Sequence, residues 1–186
     1  MSYVYGNSMT RDDGPTGGYD LLYIPSTADL TSMVFLPNTV NGINYTPQQQ
    51  NEGLEIYIQQ DPYLRSHRGN YAERNGSRTP FTHVVDLKIN HDIRIKAGDK
   101  YYQLQLTCDI FNFTNLLNRN WGHRYFQPND NFALIDFAGY ISTTNLTPQY
   151  LFDPGLCQTT PWNVSTSVTP AYSSRWNGRL GIRLTF

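Results

Sequence analysis

"HVVDLKINHDIRIKAGDKYYQLQLTCDI", residues 83–110, is the stretch on which the fold turns. Val85, Leu87, Ile89, Ile93 and Ile95 alternate with Asp86, Lys88, Asn90, Asp92, Arg94 and Lys96, and only His91 interrupts the apolar series. A period of two belongs to a strand whose faces meet different surroundings. Ala97-Gly98-Asp99-Lys100 then turns the chain. Tyr102, Leu104, Leu106, Cys108 and Ile110 resume the alternation against Gln103, Gln105, Thr107 and Asp109, so the stretch predicts a β-hairpin. Each arm has about the ~9–11 residues that a tilted strand needs to cross a bilayer.

Working outward, the phase slips after Ile110 to Phe111 and Phe113, which predicts a bulge near Asn112. The last segment repeats the two-faced pattern, with Trp176, Gly178, Leu180, Ile182, Leu184 and Phe186 set against Asn177, Arg179, Gly181, Arg183 and Thr185. Residues 132–141 and 146–152 predict shorter, less regular strands around the turn 142–145. From the end backwards the connections then run long, short, medium, short and very long, the last covering 7–82. Short turns on one side and long loops on the other are the habit of a membrane barrel.

The very long connection carries its own helix signals. Thr46 caps Pro47 at the first helical position, Gln49 completes a capping box, and Leu54, Tyr57 and Ile58 form a stripe. Asp61-Pro62 restarts the signal and Gly69 ends it, so two short helices are expected.

The 186 residues carry a net charge of -1, so no overall basic field favours nucleic acid. Fourteen Tyr, nine Phe and three Trp, with fourteen Gly and eleven Pro, favour strands and turns over helices. No apolar run approaches the ~18 residues of a membrane helix, a test that strands with polar alternate residues escape. Met1 to Tyr5 shows neither the basic nor the apolar region of a signal peptide, leaving a cytosolic protein or a beginning further upstream. Cys108 and Cys157 lack metal-ligand spacing, and no cofactor motif is present.

Charge concentrates in "HRGNYAERNGSRTPF", residues 67–81, which holds His67, Arg68, Glu73, Arg74 and Arg78. Catalysis there would use His67 as base and Glu73 as its orienter, yet no nucleophile arrangement or second histidine accompanies them. The expectation is no enzyme, and a loop braced by its own charges. Asp12, Asp13 and Asp20 in residues 7–20 are candidate oxygen ligands for calcium, but their spacing is not that of an EF-hand and an Asx-rich turn accounts for them. In residues 118–126, Trp121, Tyr125 and Phe126 sit among basic groups. They suit either a stacking surface for sugars or bases or, the reading favoured, an aromatic girdle at a membrane surface.

"YAERNGSRTPF" (71–81), "HVVDLKINHDI" (83–93), "LTCDIFNFTNLLNRNWG" (106–122) and "SSRWNGRLGIRLTF" (173–186), in this order, resemble the C-terminal part of TonB-dependent outer-membrane receptors. The group most similar is the Oar-like one of Bacteroidetes-type bacteria, which carries a carboxypeptidase-regulatory-like domain. "SYVYGNSMTRDDGPTGGYDLLYIPS" (2–26) resembles the same group at a strand end leading into a large outer loop. The resemblance implies an all-β fold. Antiparallel strands, about six of them, would form the C-terminal portion of a large transmembrane β-barrel of about 22 strands enclosing a plug. Residues 7–82 would be a long, partly helical extracellular loop and 83–186 the last five strands. With no TonB box, plug or signal peptide in view, the chain reads as a fragment or excerpt.

The same resemblance implies location in the cell outer membrane and energised import of a substrate. The partners would be the rest of the barrel and plug, the TonB complex, the barrel-assembly machinery and outer-membrane lipid. Asp86, Lys88, Asp92, Arg94, Arg179 and Arg183 would face the lumen against the plug. His67, Arg68, Glu73, Arg74, Arg78 and Trp121 would lie at the extracellular loop or mouth, and Phe186 would be the barrel-assembly signal. The rival class is a soluble β-sandwich that binds carbohydrate through Trp121, Tyr125 and Trp162, which fits the aromatics and accounts poorly for charged faces behind continuous apolar ones. A complete barrel of about eight strands fails on strand count unless residues 19–40 supply two more. Glycan, peptide and metal chelate all remain open as substrate.

Overall fold

Asn38 to Gln60 shows how locally the chain obeys its sequence. Asn41 and Gly42, both at positive φ (51° and 81°), turn a short hairpin, and Thr46 then starts a helix. The Thr46 hydroxyl accepts from the Gln49 N–H while the Gln49 side chain accepts from the Thr46 N–H, with Pro47 at the first helical position. Asp61 ends that helix and caps the next through Leu64 N–H, and Gly69, at φ 76°, follows the second helix.

The computed structural model describes residues 1–9, 20–165 and 173–186. In chain order it begins with β1 (Ser2–Tyr5), β2 (Tyr23–Ile24), α1 (Thr27–Ser32), β3 (Val34–Phe35), β4 (Asn38–Val40), β5 (Ile43–Tyr45), α2 (Pro47–Gln60), α3 (Pro62–Ser66) and β6 (Asn70–Tyr71). There follow β7 (Leu87–Ala97), β8 (Lys100–Phe111), α4 (Phe113–Leu117) and β9 (Tyr125–Phe126). The remainder comprises β10 (Asn131–Tyr140), β11 (Pro148–Leu151), a 3₁₀ turn at Pro154–Gln158, β12 (Asn163–Val164) and β13 (Asn177–Thr185). These fall into two units, Met1–Arg78 with Gln127–Pro161, and Thr79–Phe126 with Trp162–Phe186.

The first unit is mixed α/β. Its sheet runs β1-β10-β11-β3, with β1 parallel to β10, β10 antiparallel to β11, and β11 parallel to β3. Helix α2 packs Leu54, Tyr57 and Ile58 into a core with Tyr3, Ile24, Leu64, Ile135 and Phe152. Each such aliphatic side chain taken from water contributes about 1.5–3 kcal/mol, so this core organises the unit. Gln50, wholly buried, ties three segments: its amide donates to Leu36 O (2.6 Å) and Tyr45 O (3.4 Å), and its oxygen accepts from Phe152 N–H (2.9 Å). Burying that amide is tolerable because all of these bonds are made.

The second unit is a three-stranded antiparallel sheet ordered β13-β8-β7 with a small β9–β12 pair. The hairpin register runs from Leu87↔Ile110 to Ala97↔Lys100, with Gly98 at φ 66° in the turn. β13 adds along the other edge of β8, from Asn177↔Phe111 to Thr185↔Gln103. The phase slip at residue 112 is not a bulge. β8 stops at Phe111, and Asn112, left-handed at φ 53° and buried, starts α4; its N–H donates to Asp86 Oδ1 (2.8 Å) and its amide to Gly122 O (2.9 Å).

The expected architecture, an all-β chain giving about six strands of one large barrel, is therefore corrected. The described residues are 21% helix and 40% strand, in five separate sheets of two to four strands, with no closed barrel. The strands expected at 132–141 and 146–152 exist as β10 and β11, but they pair with β1 and β3 rather than extending the β7–β8 sheet. The stretch 7–82, expected as one outer loop, divides between the units, and its described parts up to Arg78 share a core with 127–161. The physical reason is burial: Leu134, Ile135 and Phe137 find partners in that core, which a two-faced strand in the other sheet would deny them. Nor do five small sheets make the two packed layers of a sandwich.

Candidate functional site

Cross-strand register sorts the three-stranded sheet into two faces. One carries the rows Ile89–Cys108–Leu180, His91–Leu106–Ile182 and Ile93–Leu104–Leu184; the other carries Lys88–Asp109–Arg179, Asp92–Gln105–Arg183 and Arg94–Gln103–Thr185. No residue of β7, β8 or β13 is buried. Leu180 is 83% and Ile182 77% exposed, so within its own unit the apolar face is uncovered. On the polar face Lys88 Nζ lies 3.4 Å from Asp109 Oδ1, and the Arg179 guanidinium sits 5.7 Å from the Phe111 ring centre.

Of the residues expected to face a lumen, Lys88, Asp92, Arg94, Arg179 and Arg183 do share that polar face, while Asp86 precedes β7 and accepts from Asn112. Phe186, one residue beyond β13, is 93% exposed. The mouth set divides between the units. His67 stacks on Tyr63 at 4.2 Å and its Nδ1 lies 2.8 Å from Tyr63 O; Arg68 pairs with Glu55 at 2.7 Å; Glu73 N–H donates to the Tyr63 hydroxyl. His67 and Glu73 are thus each engaged with Tyr63, not with one another. Arg74 and Arg78 are exposed and make no ion pair with a described residue. Trp121, 48% exposed, belongs to the other unit with Tyr125 and Trp162. Asp12 and Asp13 lie outside the described residues. Asp20 accepts from Ser8 Oγ and Met9 N–H through Oδ2, as an Asx-type tie, and no cluster of three metal-ligating side chains occurs among the described residues.

The first unit holds a feature that no motif announced, a cleft of about 390 Å³ among β1, β2, α1 and the start of β11. Its walls include Tyr5, Tyr23 and Tyr150, with Met33 and two prolines, and its polar groups are Asp29, Ser32 and Thr147. Tyr5 and Tyr150 stack at 6.1 Å and 20°, and burial first, then the neighbouring tyrosine, pushes the Tyr5 phenol above its ordinary value. Tyr23 meets Tyr71 edge to face at 5.3 Å.

Asp29 is placed by the start of α1. Ser26 and Asp29 form a reciprocal capping box, Asp29 N–H to Ser26 Oγ (3.2 Å) and Ser26 N–H to Asp29 Oδ2 (2.9 Å), and the Tyr23 hydroxyl donates to the same Oδ2 (2.9 Å). The Ser26 side chain and N–H, then Tyr23, hold this carboxyl below the usual carboxylate range. A volume of this size, mostly apolar with a few fixed polar groups, is the form of a small-molecule site. Its one sequence signal was the Ser26-Thr27-Ala28-Asp29 cap; the tyrosines lie far apart in the chain.

Comparison with known proteins found no matching family model, no matching curated protein and no matching solved structure.

Proposed function

We propose that the chain is part of a TonB-dependent outer-membrane receptor and takes part in importing a substrate across that membrane. The observation that carries the reading is the uncovered apolar face of the β7–β8–β13 sheet, backed by a charged face. In water, an exposed row of Leu180, Ile182 and Leu184 beside Ile89 and Leu106 invites aggregation. Against lipid the same row is at home, and strands of nine to twelve residues have the length for a tilted crossing.

The reading assigns each face a medium. Leu180, Ile182 and Leu184 meet acyl chains, while Lys88, Asp92, Arg94, Arg179 and Arg183 meet a watery interior and the plug. The turn at Gly98-Asp99 and Phe186 share one end of the sheet, the end that the resemblance assigns to the periplasm and to the assembly machinery.

The test is cell fractionation followed by blotting with an antibody against residues 61–80, before and after a carbonate wash. The expected result is a carbonate-resistant band in the outer membrane. A band confined to the soluble fraction would overturn the reading and favour a soluble binding module.

A further inference from the structure

The tyrosine cleft invites a question that the transport reading does not answer, namely which chemistry it would hold. Its hydroxyl protons are largely committed inside the wall. Tyr23 donates to Asp29 Oδ2, Ser32 Oγ donates to Asp29 O (2.8 Å), and Thr147 Oγ1 donates to Asn145 Oδ1 (2.8 Å). The Tyr5 and Tyr150 rings stack on one another at 6.1 Å. Among the described residues, the lining contains one carboxylate and no cationic side chain. The two bonds to the Asp29 carboxylate described above both go to Oδ2, leaving Oδ1 with neither.

Such a cleft offers ring faces and acceptors while offering few donors. A sugar needs donors as well as acceptors for its ring hydroxyls, and an anion needs donors or positive charge. A cation needs what is present: aromatic faces, whose negative π-clouds attract positive charge, and a single carboxylate to balance it.

We infer that the cleft bounded by Tyr5, Tyr23, Tyr150 and Asp29 is a binding site for an organic cation, an alkylammonium group carried on a small aliphatic body. The Asp29 carboxylate faces the positive centre, the tyrosine rings enclose its methyl or methylene groups, and Met33 adds a polarizable wall. The capping box holds the carboxylate ready, so no side chain needs to be moved or deprotonated to receive the ligand.

The inference rests on the cleft and not on the transport reading. Choline, a small trimethylammonium alcohol, and its neutral carbon isostere 3,3-dimethylbutan-1-ol separate charge from shape. The whole chain, in a non-ionic detergent, is titrated with each while the Met33 methyl signal and the tyrosine ring signals are followed by NMR. The expected result is saturable choline binding at least tenfold tighter than that of the isostere, weakened at least tenfold by Asp29→Asn and abolished by Thr147→Trp, which fills the cleft.

Asparagine keeps the acceptor for Ser26 N–H and Tyr23, so the α1 cap survives; the helical circular dichroism checks it. Equal binding of choline and isostere would mean an apolar hole and overturn the inference, as would binding of neither. Maltose binding where choline does not would replace the cation with a sugar. If Asp29→Asn unfolds, the choline-to-isostere ratio in the unaltered chain decides alone. Choline binding in a chain found only in the soluble fraction would keep this inference and sink the transport reading.

Discussion

Replacing Tyr3 by Phe removes one oxygen from the centre of the α/β unit and leaves its packing in place. Tyr3 is fully buried on β1, its ring stacked on Tyr63 (6.1 Å) and edge-on to Phe132 (5.7 Å), contacts that a phenylalanine ring keeps. The hydroxyl donates to Asp61 Oδ2 at 2.5 Å. Asp61, only 7% exposed, is the joint where α2 ends and α3 begins, its other oxygen accepting from Leu64 N–H at 2.9 Å. The substitution therefore strands half of a buried carboxylate. Hydrogen bonds to charged groups contribute about 1.5–3 kcal/mol, and a buried acceptor left without its donor costs about as much.

The expected loss is therefore about 2 kcal/mol. For a unit of about 110 residues that lowers the melting temperature by roughly 8 °C. The signal to follow is circular dichroism at 222 nm, because α1, α2 and α3 all belong to this unit. A shift under about 2 °C would refute the view that the Tyr3–Asp61 bond joins β1 to the helical corner. So would an equal shift in Tyr3→Phe and in the double variant Tyr3→Phe/Asp61→Ala measured against Asp61→Ala alone, since a true pair must show coupling.

Other outcomes follow from the same packing. Gln50→Leu leaves Leu36 O, Tyr45 O and Phe152 N–H unpaired and should cost about 2–4 kcal/mol in urea unfolding; a loss under about 1 kcal/mol would contradict the tie among the three segments. In high pH the unit should lose stability above about pH 10: burial raises the phenols of Tyr3, Tyr5 and Tyr57, so the unfolded chain releases protons that the folded one retains. Phenolate absorbance at 295 nm should then rise in two stages, exposed phenols such as Tyr71 and Tyr101 first and the buried ones only with unfolding; a single stage completed before unfolding would contradict the burial. Ile182→Arg on the apolar face should cost about 2–4 kcal/mol in a bilayer if it lies near the midplane, and little if that face is wet. Arg179→Ala with Arg183→Ala should leave insertion intact and alter uptake; unchanged uptake would contradict the role given to the polar face.

What the sequence disclosed was local. The hairpin 87–111, its turn at Gly98 and the cap at Thr46 each rest on residues within a few positions of one another, and pattern reads them directly. The partners of β10 were not legible. Its alternation identifies a strand, but parallel pairing with Ser2–Tyr5, some 130 residues away, leaves no local mark. Connection lengths suggested one sheet because they are blind to which sheet a strand joins. The cleft was hidden for the same reason: Tyr5, Tyr23, Asp29 and Tyr150 meet only after β1, α1 and β11 are in place.

The bond from Phe152 N–H to the Gln50 side chain has a temporal meaning beyond its energy. A ribosome delivers residues 87–111 well before residue 152, so the greasy hairpin emerges while the core that needs Phe152 is still open. Local hairpins close in microseconds, whereas closure across about a hundred residues waits for synthesis. For a stretch of chain-building time the most aggregation-prone segment is complete and the stabilising lock is absent, and a chaperone that shields residues 87–111 would have its work concentrated in that interval.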